Sequence, residues 1–116
     1  MNKDFPISRK TRWGFDQTHR LNEDDITIKT LFLFEKQGTS LQKHTKRKEL
    51  WIPYNRVKIV KGSKEFTADD NHIEIIPVGE IHRLIGADEV SIITEISHGH
   101  FDEEDIERLH SFYESI

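Results

Sequence analysis

The sequence predicts an all-β barrel or sandwich closed by one short C-terminal helix, and three observations carry that expectation. The apolar runs are short and rich in β-branched residues, turn formers punctuate them, and only the tail repeats apolar residues at helical spacing. Isoleucine and phenylalanine dominate the core formers while Ala68 and Ala87 are the only alanines, a composition that leans to strands. At 116 residues, 34% hydrophobic and 33% charged, the chain fits one domain with a modest core.

Residues 1–10 read as an N-terminal arm, mobile or pairing with a sheet edge, and residues 11–116 as a single domain. The clearest strand spans 26–34, with β-branched residues throughout. A second covers 49–52. Residues 57–60, the pair Gly62-Ser63 and residues 65–67 read as a hairpin. The run 73–76 stops at Pro77, and Pro77-Val78-Gly79 is a turn. Residues 90–96 alternate with period two at their start and end. In the tail, Asp102 suits a helix N-cap and the acids through Asp105 suit a first turn. Ile106, Leu109, Phe112 and Tyr113 then follow at 3.6 spacing.

Several function classes drop out. No apolar run approaches the roughly 18 residues needed to span a bilayer. The start shows no signal-peptide h-region, and there is no cysteine, hence no disulfide, thiolate zinc site or cysteine nucleophile. A cytoplasmic location is expected. The net charge of -4 argues against a nucleic-acid partner, whose binding domains are usually basic.

The chemistry concentrates between Gly38 and Glu49. Gln42 and His44 are two apart, so on a strand they share a face. A turn through residues 45–48 would bring Glu49 back to them on an adjacent strand. His82, after the turn at Pro77, supplies a fourth donor. Two imidazoles, a carboxylate and a neutral amide suit zinc, iron, manganese or nickel. The weakly donating glutamine leaves such an ion a stronger Lewis acid. The basic run Lys43, Lys46, Arg47, Lys48 reads mostly as a solvated loop. His98-Gly99-His100 reads as a surface loop, and Trp13 and Trp51 as packing residues.

The order Gly-x3-Gln-x-His-x4-Glu, then Pro-x-Gly-x2-His, resembles the two motifs of the cupins, with Gln42 in place of the usual first histidine. Ser40-Leu41-Gln42-x-His44 with Arg47-x-Glu49-x-Trp51 is similar to the type II mannose-6-phosphate isomerase subfamily. So are Ile76-Pro77-x-Gly79-x2-His82-Arg83-Leu84, Arg12-Trp13-Gly14, and Glu104-Asp105-Ile106-x-Arg108 with Tyr113 beyond. The resemblance covers residues 12–113. Three departures stand out: Pro53-Tyr54-Asn55-Arg56 after Trp51, Lys46 where relatives often carry histidine, and Glu114-Ser115 in place of a Gly-Arg pair after the tail tyrosine.

The resemblance implies a cupin double-stranded β-helix, a jelly-roll barrel. It implies a divalent metal on Gln42, His44, Glu49 and His82, with zinc first and manganese, iron, cobalt or nickel as alternatives. The implied reaction interconverts mannose 6-phosphate and fructose 6-phosphate through a metal-stabilised enediolate. Glu49 and Glu80 are the side-chain candidates for the base, a metal-bound hydroxide being the other. Arg47, Arg83, Arg12 and Lys46 are the candidates for the phosphate of a small-molecule sugar phosphate. A homodimer is implied as well, the N-terminal segment adding to a partner's sheet. Two alternatives accompany this reading: another sugar-modifying cupin enzyme such as an epimerase, and a non-catalytic metal- or sugar-binding cupin serving as sensor or accessory subunit. The lost arginine at 114–115 favours the latter.

Overall fold

A computed structural model describes residues 4–110. Eleven strands follow one another: β1 (Ile7–Lys10), β2 (Gly14–Glu23), β3 (Ile26–Leu33), β4 (Leu41–Lys43), β5 (Arg47–Pro53), β6 (Val57–Lys61), β7 (Lys64–Ala68), β8 (Glu74–Ile76), β9 (His82–Gly86), β10 (Ser91–Gly99) and β11 (Glu107–His110). They form a six-stranded sheet in the order β1-β2-β3-β10-β5-β8 and a five-stranded sheet in the order β11-β4-β9-β6-β7. Every pairing is antiparallel. The consecutive strands β4 and β5 lie in different sheets, as β8 and β9 do, so the chain crosses repeatedly between two facing walls in jelly-roll fashion.

The interior is graded along the strands. On β3 the inward residues run Thr27, Lys29, Leu31, Leu33, and on β10 they run Ser97, Glu95, Ile93, Ser91 in register with them. On β5 they run Arg47, Glu49, Trp51, Pro53. One end of the vessel is therefore apolar. There Leu31, Leu33, Trp51, Val57, Ile59, Ile76, Leu84 and Ile93 make the core, with Trp13 and Phe66 packed against it. The other end is lined by ionisable side chains. The core sits beneath the polar chamber and holds its walls apart.

The strands expected over 26–34, 49–52, 57–60, 65–67, 73–76 and 90–96 all form, with ends shifted by a few residues. In the β6–β7 hairpin Gly62 takes φ 59, which a glycine supplies without steric cost at the start of a two-residue turn. Arg47 and Lys48 already belong to β5, so the turn before it is shorter than expected. At the start of β5, a Cβ on Gly99 (φ 119) would collide with the main chain of Lys46. Only glycine lets β10 approach the start of β5 this closely.

The C-terminal helix is a correction. Residues 107–110 form β11, which pairs with β4, and Phe112 and Tyr113 lie outside the described residues. Asp102 does accept a hydrogen bond from the Glu104 N–H at 2.9 Å, and its carbonyl accepts from Asp105 N–H at 2.9 Å. The same side-chain chemistry that caps a helix also closes an isolated turn, and here it closes a turn. The acids after Asp102 serve tertiary contacts, Glu103 pairing with Arg9 and Asp105 capping the turn at Thr45. No helix among the described residues is long and apolar enough to cross a membrane.

Candidate functional site

His44, Glu49 and His82 converge at the polar end, each buried, with ligand atoms within 4.8 Å of one another. Three elements bring them there. Glu49 faces inward from the middle of β5. His82 opens β9 and lies directly across from Gln42 of β4, so those two side chains share a face. His44 follows β4 immediately, on the turn into β5.

The hydrogen bonds of the two imidazoles fix their tautomers. His44 Nδ1 donates to the Asp105 carbonyl at 2.6 Å, and His82 Nδ1 donates to the Glu80 carbonyl at 2.8 Å. With Nδ1 protonated, each Nε2 presents a lone pair toward Glu49. His44 Nε2 is 3.4 Å from Oε2, and His82 Nε2 is 3.7 Å from Oε1. A carbonyl-oriented Nδ1–H with Nε2 aimed at a shared carboxylate is the arrangement metal-ligating histidines adopt. The donor set therefore fits a divalent ion. Gln42 lines the adjoining cavity and donates Nε2 to the Ser40 carbonyl at 3.2 Å and its hydroxyl at 3.1 Å. That leaves Oε1 as the amide atom for a cavity ligand. Glu49 also accepts from Trp51 Nε1–H at 3.1 Å and Arg47 Nε–H at 3.1 Å, and it shares a hydrogen bond with the Glu95 carboxyl.

Burial alone would raise the pKa of Glu49, but His82, His44 and Arg47 outweigh it and hold the carboxylate ionised. Burial, with Arg47 and His82, pushes the His44 imidazole down despite Glu49, favouring the neutral, ligating form. Glu95 behaves oppositely. Burial, with the Glu49 carboxylate beside it, pushes its carboxyl up to about 8 against the pull of Lys29 and Arg47.

A cavity of about 590 Å³ opens from this cluster. Its wall includes Lys29, Arg47, Glu95 and Arg108, and its mouth carries Arg9, Arg12 and Glu103. Arg9 ties the mouth together, bonding Asp16 at 2.7 Å and Glu103 at 3.0 Å, while Lys29 reaches Glu103 at 3.5 Å. Lys29 and Arg47 both stack on the Phe101 ring, at 4.0 and 4.4 Å from its centroid.

Of the expected phosphate binders, Arg47 and Arg12 line this cavity. Lys46 and Arg83 do not. Lys46 is exposed and reaches Asp102 at 3.7 Å. Arg83 follows His82 on β9, so alternation turns it to the opposite face of its sheet. The Glu80 carboxylate lies beside the Gly62 turn, and Glu80 enters the site through its main-chain carbonyl. Sequence reasoning missed Lys29, Glu95 and Asp105. A charge at an inward position of an otherwise apolar strand was the available signal for the first two.

A family model described as "Mannose-6-phosphate isomerase C-terminal" matches residues 9–111. A curated mannose-1-phosphate guanylyltransferase from Sinorhizobium fredii is 35% identical over 106 residues, 84% of this chain but only 19% of the relative's length. Among solved structures, the capsular polysaccharide assembling protein CapF of Staphylococcus aureus superposes with TM-score 0.78 at 14% identity. That match covers 93% of this chain and 33% of CapF. A Streptomyces PAC13 variant solved with uridine gives 0.80 at 9% identity, covering 99% of this chain and 98% of its own. At such identities the likeness speaks for the fold, which is that of the cupins.

Proposed function

The chain belongs to the mannose-6-phosphate isomerase C-terminal family, and on that premise we propose that it is a metal-dependent sugar-phosphate isomerase interconverting mannose 6-phosphate and fructose 6-phosphate. The observation that carries the reading is the buried His44–Glu49–His82 cluster at the floor of a cation-lined cavity. His44, Glu49 and His82, with Gln42 as fourth donor, would hold one divalent ion, zinc being the first choice. When bound, such an ion supplies Lewis-acid polarisation of the sugar's C1 and C2 oxygens.

The chain's own residues would do the rest. Arg47 and Arg12, both lining the cavity, would hold the phosphate, since a guanidinium fork matches its oxygens. Proton transfer between C1 and C2 falls to Glu95 rather than Glu80. Glu95 faces the cavity from β10, whereas the Glu80 carboxylate lies at the Gly62 turn. Glu49 is committed to Arg47, Trp51 and the histidines, which leaves it a ligand. In its ionised form, which gains population as pH rises toward 8, Glu95 would take the proton from C2 and return it at C1, while the O2 hydroxyl proton passes to O1.

The test is turnover. Metal-loaded protein incubated with mannose 6-phosphate is expected to form fructose 6-phosphate, and Glu95→Gln is expected to lose that activity by 100-fold or more at unchanged metal content. His44→Ala and His82→Ala are expected to lower the metal content itself. No turnover with zinc, manganese, iron, cobalt or nickel removes the isomerase reading. Turnover of another sugar phosphate would indicate a different sugar-modifying cupin. Bound metal with no turnover at all would support a non-catalytic cupin, the reading that Glu114-Ser115 favours.

A homodimer belongs to the same proposal. The outer face of the six-stranded sheet is more apolar than a solvated face requires. It presents the stacked pair Phe15–Phe32 (centroids 4.3 Å apart), Phe34 and Ile75, the last two exposed. A second copy packing there would cover it. Light scattering is expected to give twice the chain mass, and Phe32→Glu to give the monomer; a wild-type monomer at micromolar concentration sinks the idea.

A further inference from the structure

Arg47 occupies an unusual position for a substrate-binding arginine, because its hydrogen bonds go to the ligand atoms themselves. Its Nη2–H donates to His44 Nε2 at 3.1 Å and its Nε–H to Glu49 Oε2 at 3.1 Å. The direction of the first bond is settled, since a guanidinium has only donors. His44 Nδ1 carries its proton to the Asp105 carbonyl, so Nε2 has one lone pair, and that lone pair is spent on Arg47. The Glu49 oxygen has lone pairs to spare; the imidazole nitrogen has none.

We propose that Arg47 is a resident cation that competes with the metal for His44, so that metal binding releases its guanidinium to an anionic substrate group. The inference rests on the metal-site reading above and adds a linkage to it. Coordination through Nε2 must break the Arg47–His44 bond. The released fork stays at the cavity wall, stacked on Phe101, and its Nη1 already has no hydrogen-bond partner among the described residues. Its donors then match a phosphate. Metal and phosphate therefore bind with positive coupling through one side chain, and by linkage each raises the other's affinity by the same factor.

The experiment titrates cobalt(II) into the metal-free full-length chain against a chromogenic chelator. Breaking a hydrogen bond from a charged donor predicts that Arg47→Met binds cobalt about tenfold tighter than wild type. Lys29→Met is the control, removing the same charge from the same wall without touching His44. It is expected to stay within about twofold of wild type. Equal gains in both variants would mean that charge alone is at work and would overturn the competition. An unchanged or weaker affinity in Arg47→Met, with wild type binding normally, overturns it also and leaves the metal site standing. No cobalt binding by any form ends the metal reading and this inference with it. Should Arg47→Met not fold, Arg47→Ala serves the same comparison. The anion half is read with inorganic phosphate. Cobalt loading is expected to raise phosphate affinity about tenfold more in wild type than in the arginine variant, and an equal rise in both overturns the release of Arg47.

Discussion

Glu49→Ala is expected to abolish metal binding and to cost about 3–5 kcal/mol of folding stability, the scale for breaking a buried ion pair from one side. The reason is the number of groups that depend on this carboxylate. It sits 2% exposed on β5, accepts from Arg47 and Trp51, and faces the Nε2 atoms of both histidines. Removing it leaves the Arg47 charge buried at the polar end with its best partner gone. It also removes the only anionic ligand of the set. Urea melts with metal analysis on the same samples check both parts. Normal stability would show that Arg47 finds water, and retained metal would show that the ion does not depend on this cluster.

Asp105→Ala is expected to cost about 2–3 kcal/mol and to loosen His44, because one carboxylate organises the whole turn into β5. Its oxygens accept from Thr45 N–H at 2.9 Å, the Thr45 hydroxyl at 2.7 Å and Lys46 N–H at 2.9 Å. Hydrogen bonds to a charged group carry more than neutral ones. Its own carbonyl holds His44 Nδ1. Burial works against this charge, but the hydrogen bonds, with Arg47, outweigh it and bring the carboxyl from 3.8 down to about 2. A depressed carboxylate pKa stabilises fully above its unfolded value and loses that stabilisation as pH falls through the folded value. Wild-type stability should therefore fall between about pH 4 and pH 2, and Asp105→Ala should start lower with a shallower fall across that window. Parallel acid-denaturation curves for the two proteins would contradict the role.

Much of the site was legible because its chemistry is written in short spacings. Gln42 and His44 share a strand face by simple alternation, and the polar turn after them returns the chain to Glu49. The side chains of Arg47 and Glu49 then fall on one inward row of β5. What sequence could not rank was the direction of the wall. On β3 and β10 the apolar residues Ile28, Phe32, Ile92 and Ile96 alternate with Lys29, Leu31, Ile93 and Glu95. Hydropathy alone turns the isoleucine and phenylalanine rows inward. The register puts Lys29 and Glu95 opposite each other inside the vessel, so the polar end of the interior carries charge while the outer face stays apolar. A chamber that binds an ion and an anion inverts the usual pattern on the strands that form it.

The tail shows a different limit. Ile106 and Leu109 sit at a helical interval, yet β4 offers an open edge, and a short segment gains more from a ladder than from a helix too brief to nucleate. Arg83 is the strand neighbour of His82 and so faces the opposite way, whereas Glu80 precedes β9 in the turn after Pro77 and its carboxylate lies at the Gly62 turn. Proximity to a ligand in sequence was a poor guide to the cavity; parity along the strand was a better one.

X-ray absorption at the metal edge of zinc-equilibrated protein tests the central claim most directly. One zinc per chain, with the multiple-scattering signature of two imidazoles and nitrogen or oxygen neighbours at about 2.0–2.2 Å, is the expected spectrum. A bound zinc without imidazole scattering, or no zinc retained at all, would contradict a metal held by His44, Glu49 and His82.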